Sequence, residues 1–354
     1  MTDQALLDRA RGGDEAAFGE LIEAHRAELR AHCYRMLGSL HDAEDALQDA
    51  LLRAWRGLAG FEGRSSVRGW LYAIATNAAI DVTRHRSRRE LPVSFGPSAG
   101  PGSDMDEAVL DPIWIEPFPD RLLPAEPTLP EASYEQREAI EIAFVVALQA
   151  LPAQQRAVFL LREVLGFSAA EIAGQLDTSV AAVTSLLQRA RARVQRTVPA
   201  SQQATLRALG DQRIRETVQQ YADALERGDA DRLIAMLTRD ATWSMPPVPT
   251  WFSGHDRIRE FLLRWPLNDT WMHVPVSCNG QLAVACYLFD PEAGEYEPAV
   301  IDVLTMADDR ISAITAFMSA DMISSPAAGS LFAGAELFGM FGLPAVPESP
   351  VAPG

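Results

Sequence analysis

The sequence predicts a mainly α chain: two helical domains, the second built on a helix-turn-helix, followed by an α+β domain. Three observations carry this prediction. Apolar residues recur at helical spacing through residues 4–90 with little interruption. A Ser-x-x-Glu pattern at Ser168 opens the stretch "SAAEIAGQLDTSVAAVTSLLQRARARV", two short helices around a tight turn. Beyond residue 209 a helix gives way to β-rich runs with hairpin signals.

Composition bounds the rest. The 354 residues suffice for two or three domains, and 48% are hydrophobic. All 31 basic residues are arginine, against 48 acids, for a formal charge of -17. Three cysteines, Cys33, Cys278 and Cys286, lack ligand spacing, which fits a reducing cytoplasm. The acidic N-terminus reads as no signal peptide, no run is apolar enough to span a bilayer, and no cofactor or metal pattern is present. The charge is uneven: residues 91–140 carry net -8, residues 141–200 net +2 and residues 201–354 net -10. Nucleic-acid contact follows the local patch, so residues 1–90 and 141–200 are the plausible DNA surfaces, with binding that weakens as salt rises.

Residues 1–90 read as a helical bundle. "DEAAFGELIEAHRAELRAHCYRML" places Phe18, Leu21, Ile22, His25, Leu29 and Cys33 at helical spacings, and Gly38-Ser39 ends it. "HDAEDALQDALLRAWRGL" forms a second helix with Leu47, Leu51 and Trp55 as its core stripe. Asp42, Glu44, Asp45 and Asp49 crowd its first turns, more acids than capping needs, and read either as a solvated face or as a docking surface for a basic partner. The third helix, "VRGWLYAIATNAAIDVTRHRSRR", carries Trp70 and Tyr72 and ends in Arg84, Arg86, Arg88 and Arg89, suited to phosphates. Residues 91–130, rich in Pro, Gly and acids, read as a linker that is either disordered or docked through Ile113, Trp114, Ile115 and Phe118.

Residues 131–198 form the second helical domain, from "YEQREAIEIAFVVALQAL" to Val194. Pro152 opens one helix, Gly166 closes it, and Asp177-Thr178-Ser179 turns into the last. On that last helix Val180, Val183 and Leu187 are expected to face inward, and Ser179, Ala182, Ser185 and Arg189 outward, with Arg191, Arg193 and Arg196 extending a basic surface. Residues 209–320 read as a helix and a curved antiparallel sheet, with turns at Gly280 and Asp308-Asp309. Residues 321–354 form a tail in which Leu331 to Leu343 can make a short docked helix.

Taken in order, these motifs resemble the bacterial extracytoplasmic-function sigma factors of the type fused to a SnoaL-like domain. The region-2 likeness runs through "AFGELIEAHRAELRAHCYRMLGSLHDAEDALQDALLRAWRGLAGFEGRSSVRGWLYAIATNAAIDVTRHRSRR". The region-4 likeness is "LQALPAQQRAVFLLREVLGFSAAEIAGQLDTSVAAVTSLLQRARARV". "MPPVPTWFSGHDRIREFL" resembles the fused domain. The resemblance implies a transcription initiation factor that binds the β′ and β subunits of bacterial core RNA polymerase and selects promoter DNA. It implies that Asp42, Glu44, Asp45, Gln48 and Asp49 dock on polymerase. It implies that Arg64, Trp70, Asn77, Asp81, Arg84, Arg86 and Arg88 serve the -10 element, and that Ser179, Ala182, Ser185, Arg189 and Arg193 serve the -35 element. A sigma factor performs no bond chemistry, so the expectation is a protein that is not an enzyme.

The SnoaL-like likeness further implies an NTF2-like cone around a pocket. Trp243, Trp251, His255, Trp271, His273 and Tyr287 are its candidate lining residues, with Met245 and Phe252 beside them. The alternative reading is a repurposed sigma-like chain whose cavity binds or converts a small, polyketide-like molecule. His255, His273 and Asp302 are then the acid–base candidates. The two readings part on core-polymerase binding and on whether a histidine in the cavity meets a carboxylate.

Overall fold

The computed structural model describes residues 3–63, 65–84, 88–109, 114–124, 137–197, 201–323 and 331–347. They fall into two compact units, Met1–Arg89 with Leu122–Pro199, and Glu90–Arg121 with Ala200–Gly354. Among the described residues no helix is long and apolar enough to cross a membrane.

In the first unit, α1 (Asp3–Arg11), α2 (Glu15–Leu37), α3 (Leu40–Gly57) and α4 (Val67–Thr83) form the first bundle. Caps set their ends. Asp14 accepts from the Ala17 amide, Ser39 from Asp42 and Ser66 from Gly69. Gly38 stops α2 in the left-handed region, at φ 69°. Leu21, Leu29, Leu47, Leu71 and Tyr72 fill the core. A four-residue helix, α5 (Pro92–Phe95), opens the second unit.

Returning to the first unit, α6 (Ile142–Gln149), α7 (Ala153–Phe159), α8 (Ala169–Gln175) and α9 (Val180–Thr197) form the second bundle. Leu160–Val164 extends α7 as a π turn. The capping box at α8 is complete: Ser168 Oγ accepts from Glu171 N at 3.2 Å, and Glu171 accepts from Ser168 N at 2.8 Å. Asp177, at φ 47°, makes the turn into α9. The two bundles pack on each other. The buried Arg156 guanidinium donates to the Met36 and Leu151 carbonyls and to Gln149, and Arg35 donates to the Ala139 carbonyl at 3.0 Å.

The second unit places α10 (Gln202–Glu226), α11 (Ala230–Met236) and α12 (His255–Arg264) against a six-stranded sheet. The strands are β1 (Leu237–Met245), β2 (Val248–Ser253), β3 (Trp271–Cys278), β4 (Gln281–Asp290), β5 (Glu295–Ala307) and β6 (Arg310–Met318). Their order is β2-β1-β6-β5-β4-β3. All pairs are antiparallel except β1 with β6, so the expected antiparallel sheet is corrected to a mixed one. The first and last strands meet there, and no hairpin fixes their direction. The expected turns form: Asn279-Gly280 joins β3 to β4, and Asp308-Asp309 joins β5 to β6.

Two stretches read from sequence as loop or tail are built into this unit. Trp114, Ile115 and Phe118 are buried, while Ile113 lies outside the described residues. Phe118 and Asn279 exchange hydrogen bonds of 2.9 and 2.8 Å. In the tail, α13 (Gly334–Met340) buries Leu337 and Phe338, and Phe338 meets the Tyr287 ring edge-on at 4.7 Å. A Cβ at Gly334 would collide with the Pro298 carbonyl, which is why glycine begins this helix.

His32 generates a pH prediction. It is buried in the first unit, its Nε2 is 2.8 Å from Thr76 Oγ1, and its Nδ1 meets no partner among the described residues. Burial, helped by Arg35 and Arg68, pulls its pKa down to about 3. The unfolded chain therefore binds more protons here between that value and the ordinary histidine range near 6.5. This contribution makes stability fall as pH drops through that window, by about 1.4 kcal/mol per unit at most. Urea unfolding from pH 7 to 5 should show a shallower loss in His32→Gln than in wild type. Identical slopes would contradict the assignment.

Candidate functional site

The acids of α3 do not form one surface. Asp42 lies in the core, 1% exposed, with its carboxylate 2.6 Å from the guanidinium of Arg89. Two residues read as surface groups, one for polymerase and one for phosphate, are thus sunk together in the core. The physical reason is mutual: neither charge can leave water without the other. Glu44 is half-buried and pairs with Arg30. Asp45, Gln48, Asp49 and Leu52 are exposed and follow i, i+3, i+4, i+7, which places them on one stripe. Leu52 is 56% exposed, an apolar side chain flanked by carboxylates.

On α4, Tyr72 is core and donates to Glu28 at 3.1 Å, whereas Trp70 is half-buried and packs on Phe61 at 4.8 Å. Gly57, Gly60, Phe61, Glu62, Ser65 and Trp70 line a cleft of about 220 Å³. Asn77 is exposed and donates to the Gln175 carbonyl of α8 at 3.5 Å. Asp81 bridges Arg53 and Arg84 at 3.0 and 2.8 Å. Arg84 and Arg88 are exposed, while Arg64 and Arg86 lie outside the described residues.

Along α9, Val183 and Leu187 are buried, but Val180 is 48% exposed, which corrects its inward reading. It is the first residue of the helix, before the stripe reaches the core. Ser179 is exposed and accepts from the Ala182 amide at 3.1 Å, so it acts as the cap. Ser185 accepts from Arg189 at 2.6 Å. Ala182 and Ser185 are half-buried, and Arg189 and Arg193 are exposed. Arg88 and Arg193 line one cleft of about 330 Å³ together with Arg156.

In the second unit a cavity of about 270 Å³ opens between α10, α12 and the sheet. Trp243, Trp271, His273 and Asp302 line it. Three residues do not belong to it as expected. Trp251 donates to the Gly96 carbonyl at 2.9 Å. His255 starts α12 with its Nε2 2.9 Å from the Thr238 carbonyl. Tyr287 donates to the Pro344 carbonyl at 2.8 Å, against the tail helix. Strand alternation could not reveal which face the tail would cover.

Asp302 is 3% exposed. Its Oδ2 accepts from Tyr221 at 2.8 Å and from Cys286 at 3.6 Å. Burial pushes its carboxyl pKa up, opposed by the Tyr221 hydrogen bond and by the nearby His273. The Cys286 thiol and the Tyr221 phenol are pushed well up by the same burial. His273 pairs with Glu226 at 3.2 Å, and that hydrogen bond holds the Glu226 carboxyl below its usual range. Among the described residues no hydrogen bond joins either histidine to Asp302; the histidine of the cavity that meets a carboxylate is His273, and its partner is Glu226. Sequence reasoning missed Tyr221, although Val218, Tyr221 and Leu225 form an apolar stripe, and a buried phenol there needs an acceptor.

Comparisons with known proteins agree with this architecture. Residues 21–89 match the model of Sigma-70 region 2, residues 142–194 that of Sigma-70 region 4, and residues 218–314 that of the SnoaL-like domain. The chain is 42% identical over 314 residues to the ECF RNA polymerase sigma factor SigG of Mycobacterium tuberculosis, covering 87% of this chain and 82% of that protein. It is 32% identical over 191 residues to the ECF RNA polymerase sigma-E factor of Escherichia coli, covering 54% of this chain and 91% of that protein. The crystal structure of the extracytoplasmic-function sigma factor SigJ of Mycobacterium tuberculosis shares the fold, with TM-score 0.52, 22% identity, and 85% and 96% of the two chains covered. Two sigma modules ahead of an NTF2-like domain define a transcription initiation factor with a fused C-terminal domain. The chain belongs to the ECF RNA polymerase sigma factors. It therefore binds core RNA polymerase and promoter DNA.

The buried pair gives a stability prediction. Asp42→Asn should cost about 3–5 kcal/mol, because it removes the buried countercharge of Arg89. Asp42→Leu with Arg89→Met should recover most of that loss. Urea unfolding checks both, and a cost below about 1 kcal/mol for the single variant would contradict the pair's role.

Proposed function

We propose that the exposed stripe of α3 is the surface with which this sigma factor engages the β′ subunit, the β subunit being met elsewhere on the chain. The single observation behind this is the placement of Asp45, Gln48, Asp49 and Leu52 on one outward face, with Asp42 withdrawn from it. Carboxylates around an apolar side chain suit a basic partner with an apolar centre: the charges steer and the leucine buries. Glu44 contributes at the edge, and Asp42 supports the helix from within.

On the same reading, Trp70 and the cleft beside it receive -10 bases, because an aromatic face stacks on an unpaired base without regard to its identity. Arg84 and Arg88 hold phosphates, and α9 enters the -35 major groove with Arg189 and Arg193. The two promoter elements lie about 25 base pairs apart, on the order of 85 Å. Asn77, assigned to one, touches Gln175 of the helix-turn-helix that reads the other. The two modules must therefore part on polymerase before both elements are read. Modulation falls to the C-terminal unit, whose cavity we assign as the place where a small molecule is sensed. Initiation belongs to the cytoplasm, where polymerase works.

Co-elution with bacterial core polymerase tests the α3 surface. Asp45→Arg with Asp49→Arg should weaken binding at least tenfold, and Leu52→Ala several-fold. Each exposed change should alter stability by about 0.5 kcal/mol or less. Undiminished co-elution of the double variant would overturn the assignment.

A further inference from the structure

The segment between the two sigma modules reaches the cavity of the C-terminal unit. Residues 96–109 run along β2 and are held there by hydrogen bonds. Ala99 N donates to the Trp251 carbonyl at 2.8 Å, and Val109 N donates to the Pro247 carbonyl at 3.0 Å. Thr250 Oγ1 accepts from Asp106 N at 2.8 Å and donates to Asp106 Oδ2 at 2.7 Å. Gly102 N donates to Glu260 at 2.9 Å, and Asp104 pairs with Arg264. Between these anchors Met105 turns into the cavity and forms part of its wall.

The walls define what fits. Trp243, Phe261, Trp265 and Trp271 present flat aromatic faces, and Met105 and Met318 supply adaptable thioethers. A volume of about 270 Å³ is somewhat under twice the ~150 Å³ cavity that accepts benzene. That is space for one or two fused rings. Asp269, His273 and Asp302 are polar side chains of the lining, and Asp302 is the buried one. Asp302 Oδ2 is engaged by Tyr221 and Cys286, whereas Oδ1 has no partner among the described residues. A buried carboxyl with an idle oxygen beside open space is costly unless something completes it.

We propose that this cavity is an effector site for a small neutral aromatic molecule bearing one hydroxyl or carbonyl group, which hydrogen-bonds to Asp302 and packs against Met105. The inference rests on the sensing role assigned to this unit above, and it adds the ligand class and the means of coupling. A ligand shifts an equilibrium only through contacts that differ between two states. Met105 is such a contact, because it touches the ligand only while the segment lies along β2. Occupancy therefore fastens the segment joining the two sigma modules to the C-terminal unit.

The experiment uses the full chain and two fluorescent probes, 2-naphthol and naphthalene, which differ by one hydroxyl. Wild type should bind one equivalent of 2-naphthol, about tenfold more tightly than naphthalene, the effect of one buried hydrogen bond. Asp302→Leu should bind the two probes equally, and Asp302→Asn, which keeps a polar partner, should retain most of the preference. Ala316→Trp, which fills the cavity, should abolish both. With saturating 2-naphthol, hydrogen exchange at Ala99, Asp106 and Val109 should slow at least fivefold, and in Met105→Ala this slowing should vanish. No saturable binding by folded wild type, or equal affinity for the two probes, would overturn the site. Binding with unchanged or faster exchange would overturn the coupling. Neither result bears on the α3 surface, which core-polymerase co-elution reads separately.

Discussion

Arg156 ties the first unit together. Its guanidinium is buried, and its two terminal amino groups donate to the Met36, Gln149 and Leu151 carbonyls and to the Gln149 side-chain oxygen, while Nε has no partner among the described residues. Burial lowers its pKa to about 10, which leaves it charged near neutrality. A buried cation must be surrounded by acceptors, and these come from the C-terminal end of α2 and from the junction between α6 and α7. The packing of one bundle on the other is therefore specified by polar geometry as well as apolar area. Arg35, which donates to the Ala139 carbonyl, repeats the device a short distance away.

This arrangement shapes how a chain of charge -17 can serve DNA. Arginines read from sequence as parts of a basic surface, Arg89 and Arg191, are engaged by carboxylates, and so is Arg53. Arg89 neutralises Asp42, Arg191 pairs with Glu163, and Arg53 meets both Asp49 and Asp81. On the proposed reading the groups left for promoter contact are few and sit on two modules that touch at Asn77 and Gln175. Polymerase then has two tasks, to separate the modules and to supply much of the DNA affinity. The salt dependence of promoter binding should accordingly belong to the complex more than to the free chain.

Much of the fold was legible in the sequence. The capping box at Ser168, the αL turn at Gly38 and the Asn279-Gly280 hairpin are local devices with local signals, and each formed where it was read. Features set by tertiary contacts were not legible. Composition left residues 91–130 either disordered or docked, and only the edge and turn that the unit offers decide for docking, with Trp114, Ile115 and Phe118 in the core. A cluster of acids on α3 looked like one surface until helical geometry and Arg89 separated Asp42 from Asp45 and Asp49. In the cavity the aromatic and acidic members Trp243, Trp271, His273 and Asp302 were identifiable by type. Trp251, His255 and Tyr287 were misplaced because type alone does not tell which face of a sheet, or which end of a helix, a side chain occupies. Met105 was beyond reach, since nothing in its neighbourhood announces a contact with a sheet more than a hundred residues away.

On the proposed reading this chain initiates transcription only once the contact between its two sigma modules opens. Run-off transcription with core polymerase tests it most directly, using Asn77→Cys with Gln175→Cys bridged by a short reducible linker. The three native cysteines are buried and should not compete. The bridged chain should give no promoter-dependent transcript, and reduction should restore the level of the unbridged variant. Equal transcription before and after reduction would contradict the account.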